Sequence, residues 1–269
     1  FVFASPHSGR RYPASLLERT RLDTTTLRRS EDAFVDELFA GVVGLGAPLL
    51  AAHFPRAFLD VNRSMAELDA GMFNGALGVP VDAPSPRVAA GLGVIPRIVR
   101  DGAEIYRGKL DSREADARLT ELYKPYHQAL AALMEETRAH FGVAVLIDCH
   151  SMPSALSVPD IVLGDRYGAS ASPQLTARAE AAFVREGFSL ARNTPYAGGH
   201  TTTLHGRVAA GCHALQIEIN RALYLDEDRI AKKMAFEMVR ARLTRAMRSL
   251  TAIPLSQLGR PDSLPEAAE

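Results

Sequence analysis

The sequence predicts an α/β fold, layered around a largely parallel central sheet. Two observations carry this expectation: short β-favouring apolar runs, and stretches of helical length and period that separate them. The apolar runs are residues 1–4, 48–53, 57–61, 143–148, 161–163 and 214–219. Between the early runs, residues 31–43 place Phe34, Val35, Leu38, Phe39 and Val42 at the spacing of one buried helical stripe. Residues 71–96 are rich in Gly, Ala, Pro and Val without a period, and read as a long loop near a site. Residues 111–141 form a long helical pattern with Leu119, Leu122, Leu130 and Leu133 as core positions, and Pro125 is expected to kink it. Residues 174–186 and 228–249 read as two further helices. No repeat and no shift in composition divides the chain. One domain is therefore expected over residues 1–260, with 261–269 as a polar tail that frays.

Composition excludes several classes of function. The 269 residues are 47% hydrophobic and carry 31 basic against 31 acidic side chains, so no excess of charge attracts nucleic acid or an anionic membrane. No segment approaches the ~20 apolar residues that span a bilayer. The two cysteines, Cys149 and Cys212, both lie in apolar surroundings, which argues against a disulfide scaffold and for a reducing cytoplasm. Phe1 already stands in a strand-like run with no basic, apolar leader, so no signal peptide is expected. The expected partner is a small molecule, handled by a monomer or small homo-oligomer.

The chemistry is concentrated where apolar runs end. Residues 146–153 read LIDCHSMP, and the first strand leads into Pro6-His7-Ser8-Gly9. Ligands of open α/β sheets bind beyond the carboxyl ends of the strands, where His7 and His150 would lie. Two histidines and a carboxylate with an open position make a catalytic zinc site. The acid can come from SEDAFVDEL, in which Asp32 and Asp36 share a helical face; Asp32 is preferred, with Asp36 as the alternative or as a partner orienting a ligand. Charge at a helix N-terminus accounts for some of these acids equally well. Of the other histidines, His127 and His140 read as packing or surface residues, and His53 and His213 as structural. Asn62 and Arg63 close the stretch RAFLDVNR, where an arginine fork beside an amide suits a carboxylate. Glu218 sits among Leu215, Ile217 and Ile219; an acid so embedded is costly unless paired, for instance with Arg221, or poised as a general base.

Together PHSG, SEDAFVDEL, RAFLDVNR, LIDCHSMP, PDIVLGDR and ALQIEINRALY, spread from His7 to Tyr224, resemble the N-formylglutamate amidohydrolases. The resemblance implies a three-layer α/β/α fold, with a mostly parallel or mixed sheet, similar to zinc carboxypeptidases and aspartoacylase. It implies His7 and His150 as ligands of one divalent metal ion, zinc, with an acid from the Asp32/Asp36 pair. It also implies Glu218 as general base, Asn62 and Arg63 on the substrate's α-carboxylate, and Arg56 polarising the scissile carbonyl. The implied reaction is cleavage of N-formyl-L-glutamate to formate and L-glutamate in histidine breakdown. The alternatives are a related N-acyl amino acid deacylase, a carboxypeptidase-like hydrolase and a non-catalytic binding protein. A further base is required for the side-chain carboxylate, and Arg97 or Arg207 is the candidate. YAGGHTTTLHG falls where the family has a Gly-rich, substrate-facing loop, so His200 and His205 stand as substrate-binding candidates. One departure is Arg10, which stands where the zinc carboxypeptidases have a glutamate ligand.

Overall fold

Six strands build one sheet in a computed structural model that describes residues 1–82, 85–99, 102–154 and 158–258. They are β1 (Val2–Ser5), β2 (Leu49–Ala51), β3 (Ala144–Met152), β4 (Ile161–Gly164), β5 (Leu190–Arg192) and β6 (Cys212–Asn220). Their spatial order is β2-β1-β3-β6-β4-β5, and every neighbouring pair is parallel except β4 with β6. The sheet is therefore mixed, though mostly parallel.

All nine residues of both β3 and β6 are buried, as strands covered on two faces must be. Alternation assigns the faces. Val145, Ile147 and Cys149, with Leu215, Ile217 and Ile219, pack against α1 (Val35–Phe39), α4 (Pro173–Arg185) and α6 (Phe236–Thr251). Ala144, Leu146 and Ala214 join the opposite layer, with α2 (Ser112–Arg118) and α3 (Lys124–Phe141). On that second face the strands change character partway along. Asp148 stands beside Gln216, and His150 beside Glu218. Apolar packing gives way there to chemistry.

Several elements depart from expectation for local reasons. Residues 57–61 are not a strand: Phe58 and Leu59 turn back onto the Pro55 carbonyl, and the Asp60 amide reaches Val94 O at 2.8 Å. Their apolar character reflects burial in a loop. The helix expected over 31–43 begins only at Val35, after Phe34 at φ 64°, and tightens into a 3-10 turn at Ala40–Leu45. The Asp32 amide is held by His7 O at 2.9 Å, which takes that residue out of the helix. Pro125 leaves a wide turn rather than a sharp kink: a π-helical turn, Leu119–Tyr123, separates α2 from α3. Such a turn relieves the clash of a proline ring with the carbonyl four residues earlier. The last helix starts at Phe236 instead of residue 228, because Asp226 caps the amides of Asp228 and Arg229 and a small ladder, Leu225–Asp226 with Ala231–Lys232, intervenes. Within 71–96 the described chain is mostly irregular, with a helical turn at Pro86–Ala89. The expected tail, 261–269, lies outside the described residues. Both cysteines are free and buried, and no helix among the described residues is long and apolar enough to cross a membrane.

Candidate active site

His7 lies in the turn that follows β1, and His150 lies within β3 rather than beyond its end. Their rings approach edge to face, with centroids 4.9 Å apart. Asp32 completes the group from the turn before α1: its Oδ2 is 3.3 Å from His7 Nδ1 and 3.0 Å from His150 Nδ1. One donor atom from each of His7, Asp32 and His150 lies within 4.8 Å of the others, and all three residues are buried.

The opposite faces of these groups are occupied. His7 Nε2 is 2.7 Å from Asp60 Oδ1, and His150 Nε2 is 3.0 Å from Asp148 Oδ2. An imidazole that donates through Nε2 to a carboxylate turns its Nδ1 lone pair toward Asp32 Oδ2. Asp32 Oδ1 meanwhile accepts from Arg221 Nη2 at 2.9 Å and Ser151 Oγ at 3.2 Å. Lone pairs from two imidazoles and one carboxylate oxygen thus converge, with carboxylates behind the imidazoles, the arrangement by which proteins orient metal-binding histidines. The donor set fits a divalent cation of the zinc type. Burial by itself would raise the Asp32 carboxyl, but the adjoining His150 and His7 side chains hold it well below the usual range. Asp60 is likewise held low against its burial, chiefly by the Arg56 charge.

A cavity of about 660 Å³ opens over this cluster and is lined also by Glu218, Arg56, Asn62 and Arg63. Burial, with the negative charge of Asp32 adding to it, raises Glu218 to about 7 against the opposing charges of His150 and Arg56. One of its oxygens accepts from Gln216 Nε2 at 2.9 Å. Arg221, the partner considered for it, is committed to Asp32, Ser151 Oγ and Glu31 O. Arg56 is anchored through Nε to Asp60 Oδ2 at 2.9 Å. Asn62 Oδ1 accepts the Thr201 amide at 2.8 Å, which turns Nδ2 toward His150 Nε2, 3.3 Å away. Arg63 is buried, yet its Nε and Nη1 bond only to the Leu92 and Asn62 carbonyls, and the nearest carboxylate oxygen, on Asp60, is 4.0 Å away. Its positive charge is poorly compensated, and burial lowers its pKa.

Other candidates lie elsewhere. Asp36 is outside the cluster and the cavity, with a buried Oδ1 that makes no hydrogen bond; because the helix starts after residue 34, Asp32 and Asp36 do not share a face. Arg97 turns away toward Asp69 and Glu104, at 3.5 and 3.7 Å. His200 and His205 lie on α5 (His200–His205) behind the cavity wall. His200 Nε2 is 3.3 Å from Tyr123 Oη, and His205 lines a separate cavity of about 190 Å³ with Arg207 and His127. Sequence reasoning did not single out Asp60 and Asp148, which stand against His7 and His150. The two aspartates carried the signal that exposed Glu218, an acid inside an apolar run.

Backbone closes one wall of the cavity. Residues 197 and 198 rest on Gly164, where a Cβ would lie 2.7 Å from Ala197 C, and a Cβ on Gly199 would lie 2.4 Å from Asn62 Nδ2. The irregular 61–63 segment is held from behind, by His127 Nε2 on Val61 O at 2.9 Å and Tyr123 Oη donating to Arg63 O at 2.8 Å. Burial pushes His127 and His205 from 6.5 down to about 4. Since the unfolded chain takes up these protons first, the stability they contribute is complete above about pH 6.5 and is lost as pH falls toward 4, on the order of 3 kcal/mol for each group. Melting temperatures measured from pH 7.5 to 5 are expected to fall more steeply for wild type than for His205→Leu. Equal slopes would remove His205 from this account.

A model of the N-formylglutamate amidohydrolase family matches residues 1–225 of the chain. The N-formylglutamate deformylase of Pseudomonas aeruginosa is 34% identical over 239 residues, covering 84% of this chain and 82% of the relative. That of Pseudomonas putida is 27% identical over 235 residues, with the same coverage of 84% and 82%. The crystal structure of an N-formylglutamate amidohydrolase from Ralstonia eutropha JMP134 superposes with a TM-score of 0.87 at 34% identity, covering 93% of this chain and 91% of that one.

Proposed function

The chain belongs to the N-formylglutamate amidohydrolase family, and from that premise we propose that it cleaves the formyl C–N bond of N-formyl-L-glutamate, releasing formate and L-glutamate. The observation that carries the reading is the pairing of Glu218 with His150 on adjacent strands, which sets a buried acid of raised pKa beside a His-Asp-His cluster. A binding protein has no need of such a base.

In this reading His7, Asp32 and His150 would hold a divalent cation such as zinc, which would supply Lewis acidity to the formyl oxygen and to a water molecule. Glu218 takes the proton of the attacking water and passes it to the departing amine nitrogen. Arg221 and Ser151, by holding Asp32 Oδ1, keep Oδ2 directed at the cluster. Arg56, fixed to Asp60, presents its remaining guanidinium N–H groups to the formyl oxygen. Arg63 and the Nδ2 group of Asn62 take the α-carboxylate. The same reading places the reaction in histidine breakdown in the cytoplasm.

The poorly compensated charge of Arg63 gives the test. Converting the substrate's α-carboxylate to an amide leaves that guanidinium unpaired, a penalty on the order of 2–5 kcal/mol, or about thirty- to several-thousand-fold in kcat/KM. Arg63→Lys is expected to recover little on the acid, since an ammonium cannot reproduce a planar fork. Formate release from the acid and the α-amide by both proteins decides it. Equal hydrolysis of the two by wild type would show that Arg63 does not read this group.

A further inference from the structure

We propose that Arg87 binds the second, side-chain carboxylate of the substrate, so that the pocket selects N-formyl amino acids that are dianions. The inference rests on the deformylase reading of this pocket and adds to it a residue that chooses among substrates.

Charge is the first argument. Arg29, Arg56, Arg63, Arg87 and Arg221 line the cavity, against the carboxylates of Asp32, Asp60 and Glu218. Five guanidinium groups thus face three acids before any metal is counted. Two of them are engaged at short range, Arg221 with Asp32 and Arg56 with Asp60, each at 2.9 Å. Arg63 has only the 4.0 Å approach to Asp60, and Arg87 makes no ion pair among the described residues. The excess suits a ligand with two negative charges.

Placement is the second argument. Arg87 sits in the turn Pro86–Ala89, and that turn is fastened to Arg63 from both ends. Downstream, the Leu92 amide donates to Arg87 O at 2.8 Å, and Leu92 O accepts from Arg63 Nε at 3.1 Å. Upstream, Ser85 caps the turn and donates to Glu67 Oε1 at 3.3 Å, while Glu67 Oε2 accepts the amide of Ser64, next to Arg63, at 3.0 Å. The positive charge of Arg87 is close enough to push Arg63's pKa down. The two carboxylate carbons of glutamate lie about 5 Å apart by ordinary bond lengths, and Arg63 and Arg87 line the same cavity. Arg29 is less suited, because it also borders a second cavity lined by Asp226 and Asp228. Arg87 is exposed without substrate, so its removal should leave the fold intact.

The experiment measures formate release from N-formylglutamate and from N-formylglutamine, which differ only in the side-chain charge, using wild type, Arg87→Met and Arg87→Glu. Wild type is expected to prefer the glutamate compound. Arg87→Met is expected to lower kcat/KM on it roughly tenfold or more, through KM, with little change on the glutamine compound. Arg87→Glu should lower it further. If Arg87→Met reduces both substrates equally, or leaves the wild-type preference intact, the assignment is overturned. A wild-type protein that releases no formate from either compound overturns the deformylase reading itself, and this inference with it.

Discussion

If Glu218 is the general base beside a metal-holding cluster, Glu218→Gln is expected to lower kcat by roughly two to four orders of magnitude while leaving metal binding unchanged. Glutamine preserves the shape, and its carbonyl oxygen can still accept from Gln216 Nε2. Because the acid is held in an apolar strand at a pKa of about 7, it is suited to taking up and releasing a proton near neutrality. Glutamine cannot do either. Steady-state kinetics together with metal analysis of the same preparation check this. Near-normal turnover would mean that Glu218 is a structural acid.

His150→Ala or His7→Ala is expected to cost most of the bound metal and nearly all of the activity. Each imidazole is fixed between Asp32 and a second carboxylate, so no other side chain in the cluster can take its place. Asp32→Ala should do the same, whereas Asp36→Ala should keep the metal, because Asp36 lies outside the group. Elemental analysis of the purified variants reads the result directly. Stoichiometric metal in His150→Ala would falsify this ligand set.

Much of the site is legible in the sequence. Residues whose burial is costly announce themselves: an acid or imidazole set in an apolar run stands out whatever the rest of the chain does. Glu218 was legible on that basis, and His7 and His150 as imidazoles at the ends of apolar runs; the structure brings all three to one cavity. The core strands were legible as well, since β3 and β6 are apolar through most of their length. What depends on the path of the chain was not. Residues 57–61 have the composition of a strand because a loop buried under a layer of helices needs the same side chains. Asp36 stood as the alternative to Asp32 only while both were assumed to lie in one helix. Among arginines, composition cannot tell Arg87 from Arg97. The first faces the cavity and the second pairs with Asp69 and Glu104, a difference set by loop geometry.

The contact at Gly164 bears on how such a pocket can change over generations. There, main chain lies directly on main chain, and at Gly199 main chain lies on an amide, so neither place has a side chain for mutation to enlarge, trim or recharge. Any residue other than glycine at 164 must displace the 197–198 backbone. Drift toward another N-acyl amino acid has to work on the remaining lining, where Arg87, Leu92 and Ile98 present side chains that substitution can alter. A descendant of this protein with altered taste would therefore keep glycine at 164 and 199 and differ first at 87, 92 and 98.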